Sequence, residues 1–184
     1  MFDPQVNMCL NPGMLTLLLQ VTLPDIKIDA DLKKAKVFEG KCFQPKAEYH
    51  ITIISKPIGE KLNSLAAGDP NFLHKLIELI KNTSWLVGNG TEFSHVVKDK
   101  GDTQKTGEAD QEIPETIIVG VPLSGIEAFY NGLSELAGET IAPPYYTHVT
   151  LFTYRNEHGI RVSTKQEFDD YVKREINLDE LQAL

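Results

Sequence analysis

The chain has 184 residues, 18 basic and 26 acidic side chains, a formal net charge of −8 and 41 % hydrophobic content. That length suits one compact domain, or two small lobes sharing a cleft, with a real core. The acidic balance and the lack of a strongly basic stretch weigh against long nucleic acid, whose binding rests on neutralising many phosphates; a small nucleotide stays open.

After a loose start with Pro4 and Pro12, residues 14–23 read as a buried strand closed by Pro24. The apolar run LTLLLQV (15–21) is too short to span a bilayer. Asp3 is the only charge before it, so the basic region of a secretory signal is missing and no membrane is expected. The two cysteines, Cys9 and Cys42, show neither metal-ligand spacing nor a disulfide framework, which reads as a reduced, cytoplasmic setting.

Residues 35–43 read as a helix end or a strand. Residues 47–55 are a strand, with β-branched Ile51, Ile53 and Ile54 and Pro57 to end the run. Residues 58–66 and 71–82 read as helices; Phe72, Leu76, Leu79 and Ile80 recur at helical spacing in the second. Trp85–Val87 begin a strand that stops at GNG (88–90), and 92–98 continue as strand. KDKGDTQKTGEADQE (98–112) has no large apolar residue and reads as a solvated tip or a lid. ETIIVGV (115–121) is a strand, and 124–137 an amphipathic helix opened by Ser124 and closed by Gly138. Residues 145–154 are a strand. STKQEFDDYVKREI (163–176) reads as a helix with a Thr164–Glu167 capping box. Strands and helices mix without strict alternation, which indicates an α+β fold of mostly antiparallel sheet.

One pattern recurs. His50 and Thr52 lie two apart in EYHITII, and His148 and Thr150 lie two apart in THVTLF. Side chains two apart share a face of a strand. Each strand therefore offers an imidazole beside a hydroxyl, with Ile51 and Ile53, or Val149 and Leu151, on the opposite side. Imidazoles titrate near neutrality and act as general acids or bases. Hydroxyls can donate to phosphate oxygens. Two of each would make a compact site for a phosphodiester. One His-x-Thr among five histidines is ordinary; two, one in each half and each inside an aliphatic strand, are harder to dismiss. Zinc fits poorly, because two histidines are too few ligands, and no cofactor or metal is called for.

HITI (50–53) and HVTL (148–151) resemble the paired signatures of the 2H phosphoesterase superfamily, which includes the 2′,5′ RNA ligase-like proteins and cyclic nucleotide phosphodiesterases. The resemblance covers the chain from the strand at 14–23 to about residue 154 and rests on the motif pair. It implies a bilobal fold, with two pseudo-symmetric lobes of antiparallel sheet, outer helices and a central cleft. It implies that His50 and His148 are the acid–base pair and that Thr52 and Thr150 bind phosphate. It implies metal-free hydrolysis of a cyclic phosphate, often a nucleoside 2′,3′-cyclic phosphate. Other members cut 2′,5′ linkages or cyclic oligonucleotides. The expected partner is a small nucleotide or short oligonucleotide, bound by a monomer. Which histidine is acid and which base stays open, as does a nucleotide-binding module without chemistry or, more remotely, an interaction domain.

Tyr146 and Phe152 share the His148 face by alternation, so either is a candidate to stack on a base. Tyr49 reads as structural and Trp85 as core or lobe interface. Lys56 and Arg155 follow the motif strands and could meet a phosphate. His74, His95 and His158 have no evident partner and read as surface residues.

Overall fold

A computed structural model of the protein describes residues 7–28, 32–98 and 113–183. The expected solvated tip lies outside these residues from position 99 to 112. In chain order the strands are β1 (Asn7–Asn11), β2 (Thr16–Val21), β3 (Lys36–Phe38), β4 (Lys41–Pro45) and β5 (Tyr49–Ile54). Helices α1 (Lys56–Ala66) and α2 (Phe72–Asn82) follow, then β6 (Leu86–Val87), β7 (Glu92–Val97), β8 (Glu115–Gly120) and β9 (Leu123–Ser124). The chain ends with α3 (Ile126–Ala137), β10 (His148–Tyr154), α4 (Lys165–Tyr171), β11 (Val172–Ile176), a 3-10 turn (Leu178–Glu180) and β12 (Gln182–Ala183). The fold is α+β, and every strand pairing among the described residues is antiparallel. No helix of the described residues is long and apolar enough to cross a membrane.

The central run of sheet is β1-β2-β5-β10-β8-β7-β11. β10 has β8 along one edge. Along the other it has β5 beside its start and β4 beside its end. Leu17, Leu19, Ile51, Val149, Ile117 and Val119 supply one face of this sheet, and Leu62, Phe72, Leu76, Phe129 and Leu133 from α1, α2 and α3 pack with them in one core. Alternation turns the other residues to the opposite face. There Ile118 and Val96 form a smaller cluster with Ile160 and Val162, flanked by Tyr146 and Phe168.

Both strands that carry His-x-Thr are bulged at the same point. Against β2, Thr52 pairs with Leu18 and Ile54 with Leu17, so Ile53 is the extra residue. Against β8, Thr150 pairs with Ile118 and Phe152 with Ile117, so Leu151 is the extra one. A bulge resets the alternation of side chains, and each strand buries two consecutive apolar residues after its threonine. The carbonyls of the extra residues are satisfied: Tyr130 Oη donates to Ile53 O at 2.6 Å, and the Lys46 N–H donates to Leu151 O at 2.9 Å.

Several elements differ from the sequence reading. The loose start contains β1, which pairs with β2 through a turn at Pro12–Leu15 in which Asn11 Oδ1 accepts from the N–H groups of Gly13 and Met14. Residues 35–43 are a hairpin that turns at Glu39–Gly40, both with positive φ, the signature of a two-residue connection. α3 starts after Gly125, while Ser124 pairs in β9 with β6. The segment 163–176 has its capping box, but the helix stops at Tyr171, and Val172–Ile176 turn into a strand along β7. An unpaired edge of β7 outweighs local helix preference there.

His95 is a further correction: it is buried, not superficial. Its Nε2 meets Glu115 Oε2 at 2.8 Å, its ring lies edge-on to Phe38 and Phe43, and Lys41 pairs with the other Glu115 oxygen. Glu115 is 4 % exposed. Removing the shared partner of a buried ionic group leaves polar atoms uncompensated, a loss of about 3 kcal/mol or more. Glu115→Ala should therefore lower the urea-unfolding free energy by about that amount; a loss below about 1 kcal/mol would show that the cluster adds little.

Candidate active site

β5 and β10 lie side by side, with Val149 opposite Ile51. In an antiparallel pair that register sets His148 across from Thr52 and Thr150 across from His50. All four side chains stand on the face away from α1, α2 and α3. Directly opposed residues have Cβ atoms about 5 Å apart and diagonal ones about 7–8 Å, so the two histidines flank a space about one phosphate wide. The four residues line one pocket of about 260 Å³ together with Pro144, Tyr146 and the segment His158–Ser163. Three imidazoles, one guanidinium, three aliphatic hydroxyls and the Tyr146 phenol belong to its lining residues, and no carboxylate lines it.

Both rings resist protonation. Burial lowers the pKa of His50, and the nearby Lys46 ammonium lowers it further against the opposing pull of Glu48. Burial pushes His148 down to about 4; the backbone bond to Tyr146 works the other way, and His50 adds a smaller downward push. The contact is His148 Nδ1 to Tyr146 O at 3.3 Å. A carbonyl only accepts, so Nδ1 carries the hydrogen and Nε2 of the neutral ring keeps its lone pair.

Tyr146 does line the pocket, but its ring face is occupied. It stacks on His148, with centroids 5.9 Å apart and planes 19° apart, and its edge meets Phe168. Opposite His148 on β8 stands Gly120. A Cβ there would lie 2.2 Å from Tyr146 Oη, so glycine is what lets the phenol in. Burial pushes that phenol up to about 12. Phe152 is a correction outright. It is 0 % exposed and belongs to the helix-side core, because the bulge at Leu151 breaks the alternation that was to carry it onto the His148 face.

Lys56 pairs with Glu60, and Arg155 lies against the Tyr154 ring; neither lines the pocket. Trp85 packs on Phe129, and Tyr49 against the same core, as their sequence context implied. His74 is exposed. The residues that sequence reasoning missed come from one segment, 156–163. Asn156 builds its turn by accepting from the His158 N–H and donating to Gly159 O. Gly159 has φ +78°, and a Cβ on it would lie 3.0 Å from Thr150 Oγ1, so the turn rests directly on the second motif. This brings His158 and Arg161 to the pocket, Arg161 bound to Glu167 at 2.5 Å. Only the glycine in NEHG hinted at such an approach. Among the described residues, no group of three or more His, Cys, Asp or Glu side chains is placed to hold a metal ion.

The depressed folded-state pKa of His148 fixes the sign of a pH effect. Between its ordinary 6.5 and about 4, the unfolded ring binds a proton that the folded ring refuses, so stability falls as pH drops through that window. NMR titration of the free protein should show the His148 ring protonating near pH 4, and His148→Gln should flatten the acid limb of the stability curve. A midpoint near 6.5 would refute the half-buried, neutral ring. Gly120→Ala should displace Tyr146 and raise the His148 midpoint toward the ordinary value; an unmoved midpoint would show that the stack does not hold the ring. No protein-family model matches the chain, and neither a curated protein nor a solved structure matches it significantly.

Proposed function

We propose that the protein is a metal-independent phosphodiesterase of the 2H type that opens a cyclic phosphate, 2′,3′-cyclic or related, in a small nucleotide or short oligonucleotide. One observation carries this reading: two histidines and two threonines from two adjacent strands surround a single carboxylate-free pocket. The bilobal reading of the fold is part of the same proposal. Supporting it are the matched bulges after Thr52 and Thr150 and the reciprocal His–Thr register of β5 and β10. The expected setting is the cytoplasm, where the exposed thiols of Cys9 and Cys42 stay reduced.

In this reading Thr52 and Thr150 donate to the non-bridging oxygens of the phosphate. His148 is the base, because its Nδ1–H is engaged by Tyr146 O and its Nε2 is left to accept. Nε2 takes a proton from water as the water oxygen bonds to phosphorus. The P–O bond to the sugar breaks, and His50, protonated once the anion is bound, gives its proton to the departing oxygen. The product is a phosphomonoester, and the two rings exchange protons with solvent to reset. Bound anion raises both pKa values, which offsets the burial that keeps the empty site neutral.

The test is a panel of nucleoside 2′,3′-cyclic phosphates, cyclic dinucleotides and 2′,5′-linked oligoadenylate, assayed with EDTA present. His50→Ala and His148→Ala should each lose about 10²–10⁴-fold in kcat. Thr52→Val and Thr150→Val should lower kcat/KM while sparing the fold. Absence of turnover across the panel, or loss of turnover to EDTA, defeats the reading.

A further inference from the structure

The segment 156–163 brings to the pocket one residue that the proposed reaction leaves unused, Arg161. Among the residues lining the His-x-Thr pocket it alone carries a permanent charge, because a guanidinium stays protonated at every working pH. It also lines a groove of about 620 Å³ that shares Thr52, Pro144 and Ser163 with the pocket, so it stands where the two spaces meet. Ile53, Ile58, Pro143 and Tyr145, which is 53 % exposed, give that groove an apolar wall. Its other charged lining residues are Glu127 and Lys165, and Lys165 pairs with Asp169.

Arg161 is held in place. Its Nε and Nη2 both donate to Glu167 Oε1, at 3.1 and 2.5 Å. The other oxygen of Glu167 accepts from the N–H groups of Ser163 and Thr164, at 2.8 and 3.1 Å. Ser163 O accepts in turn from the Tyr145 N–H at 2.8 Å. On the other side of Arg161 the Gly159 turn rests on Thr150. A guanidinium has five N–H donors in a planar fork. Glu167 engages one on Nε and one on Nη2, and among the described residues the others, both of Nη1 included, have no acceptor. The Arg161 side chain is 49 % exposed against 16 % for Glu167, so the carboxylate is the covered end of the pair and the guanidinium the open one.

An arginine fixed along one edge by a carboxylate is prepared to take an oxyanion along the other. We infer that Arg161 is a further substrate-contacting residue, whose Nη1 edge donates to a non-bridging oxygen of the phosphate held between His50 and His148. The inference rests on the phosphodiesterase reading above. It adds a fixed positive charge to a site whose two motif imidazoles resist protonation. As the water oxygen bonds to phosphorus, negative charge grows on the non-bridging oxygens, and the guanidinium meets it without moving a proton.

The experiment is calorimetric binding at neutral pH and low salt with adenosine 2′- and 3′-monophosphate, with adenosine as the uncharged control. Arg161→Gln should weaken the tighter monophosphate about 10- to 100-fold, the range of a hydrogen bond between charged groups, and leave adenosine unchanged. Arg161→Lys keeps a cation beside Glu167 and loses the fork, so it should retain the fold and lose affinity to a smaller degree. A change below about twofold in either variant overturns the contact. An equal loss for adenosine also overturns it, because that outcome reports a distorted strap. So does a wild-type protein that binds neither monophosphate more tightly than adenosine. Because the readout is binding, the two readings separate. If Arg161→Gln loses affinity and the EDTA panel shows no turnover, the reaction is refuted and the contact retained. If a cyclic phosphate is hydrolysed and Arg161→Gln keeps both affinity and kcat/KM, the reaction is retained and the contact refuted.

Discussion

The whole site hangs on one backbone alignment, Val149 opposite Ile51. Antiparallel pairing at that point turns two separate His-x-Thr dipeptides into a square of four side chains with histidines on one diagonal and threonines on the other. A one-residue slip of either strand would send that strand's histidine and threonine into the aliphatic layer and bring its Ile51 or Val149 out. Burial of those two residues against the helices forbids the slip. Hydrophobic packing on one face of the sheet thus sets the geometry of the polar groups on the other.

The bulges limit the polar face to two residues per strand. Without them, alternation would continue past Thr52 and Thr150 and place Ile54 and Phe152 on the open side. With them, both side chains join the core, and the extra carbonyls are caught by the Tyr130 hydroxyl and the Lys46 N–H. Backbone irregularity near a site has to be stabilised from outside the strand. Here one stabiliser is on α3 and the other in the β4–β5 bend.

Local rules made much of this legible. The shared face of His50 with Thr52, and of His148 with Thr150, followed from strand period alone, as did the helical spacing of Phe72 and Leu76. The Thr164–Glu167 box and the Gly138 terminus followed from capping chemistry. What escaped was decided by partners distant in sequence. Phe152 is buried because of the pairing with β8, and Val172–Ile176 are a strand because β7 has an edge to fill. His95 looked like a lone surface ring because Glu115, itself paired with Lys41, reaches it only in the fold. Arg161 and Ser163 carry no motif at all; a turn draped over Thr150 brings them in. The chain order Tyr145-Tyr146 gives no hint that one ring is open and the other committed to an imidazole.

The hydrogen bond from the Tyr145 N–H to Ser163 O ties two loops into one strap beside the pocket. That strap carries Pro143, Pro144, Tyr145, Arg161 and Lys165, while the imidazoles and threonine hydroxyls belong to the paired strands beneath it. Under the proposed reaction, the motif pair and the groove beside it are thus built on separable parts of the chain. Substitutions in the strap would then alter the groove without disturbing the register of the paired strands.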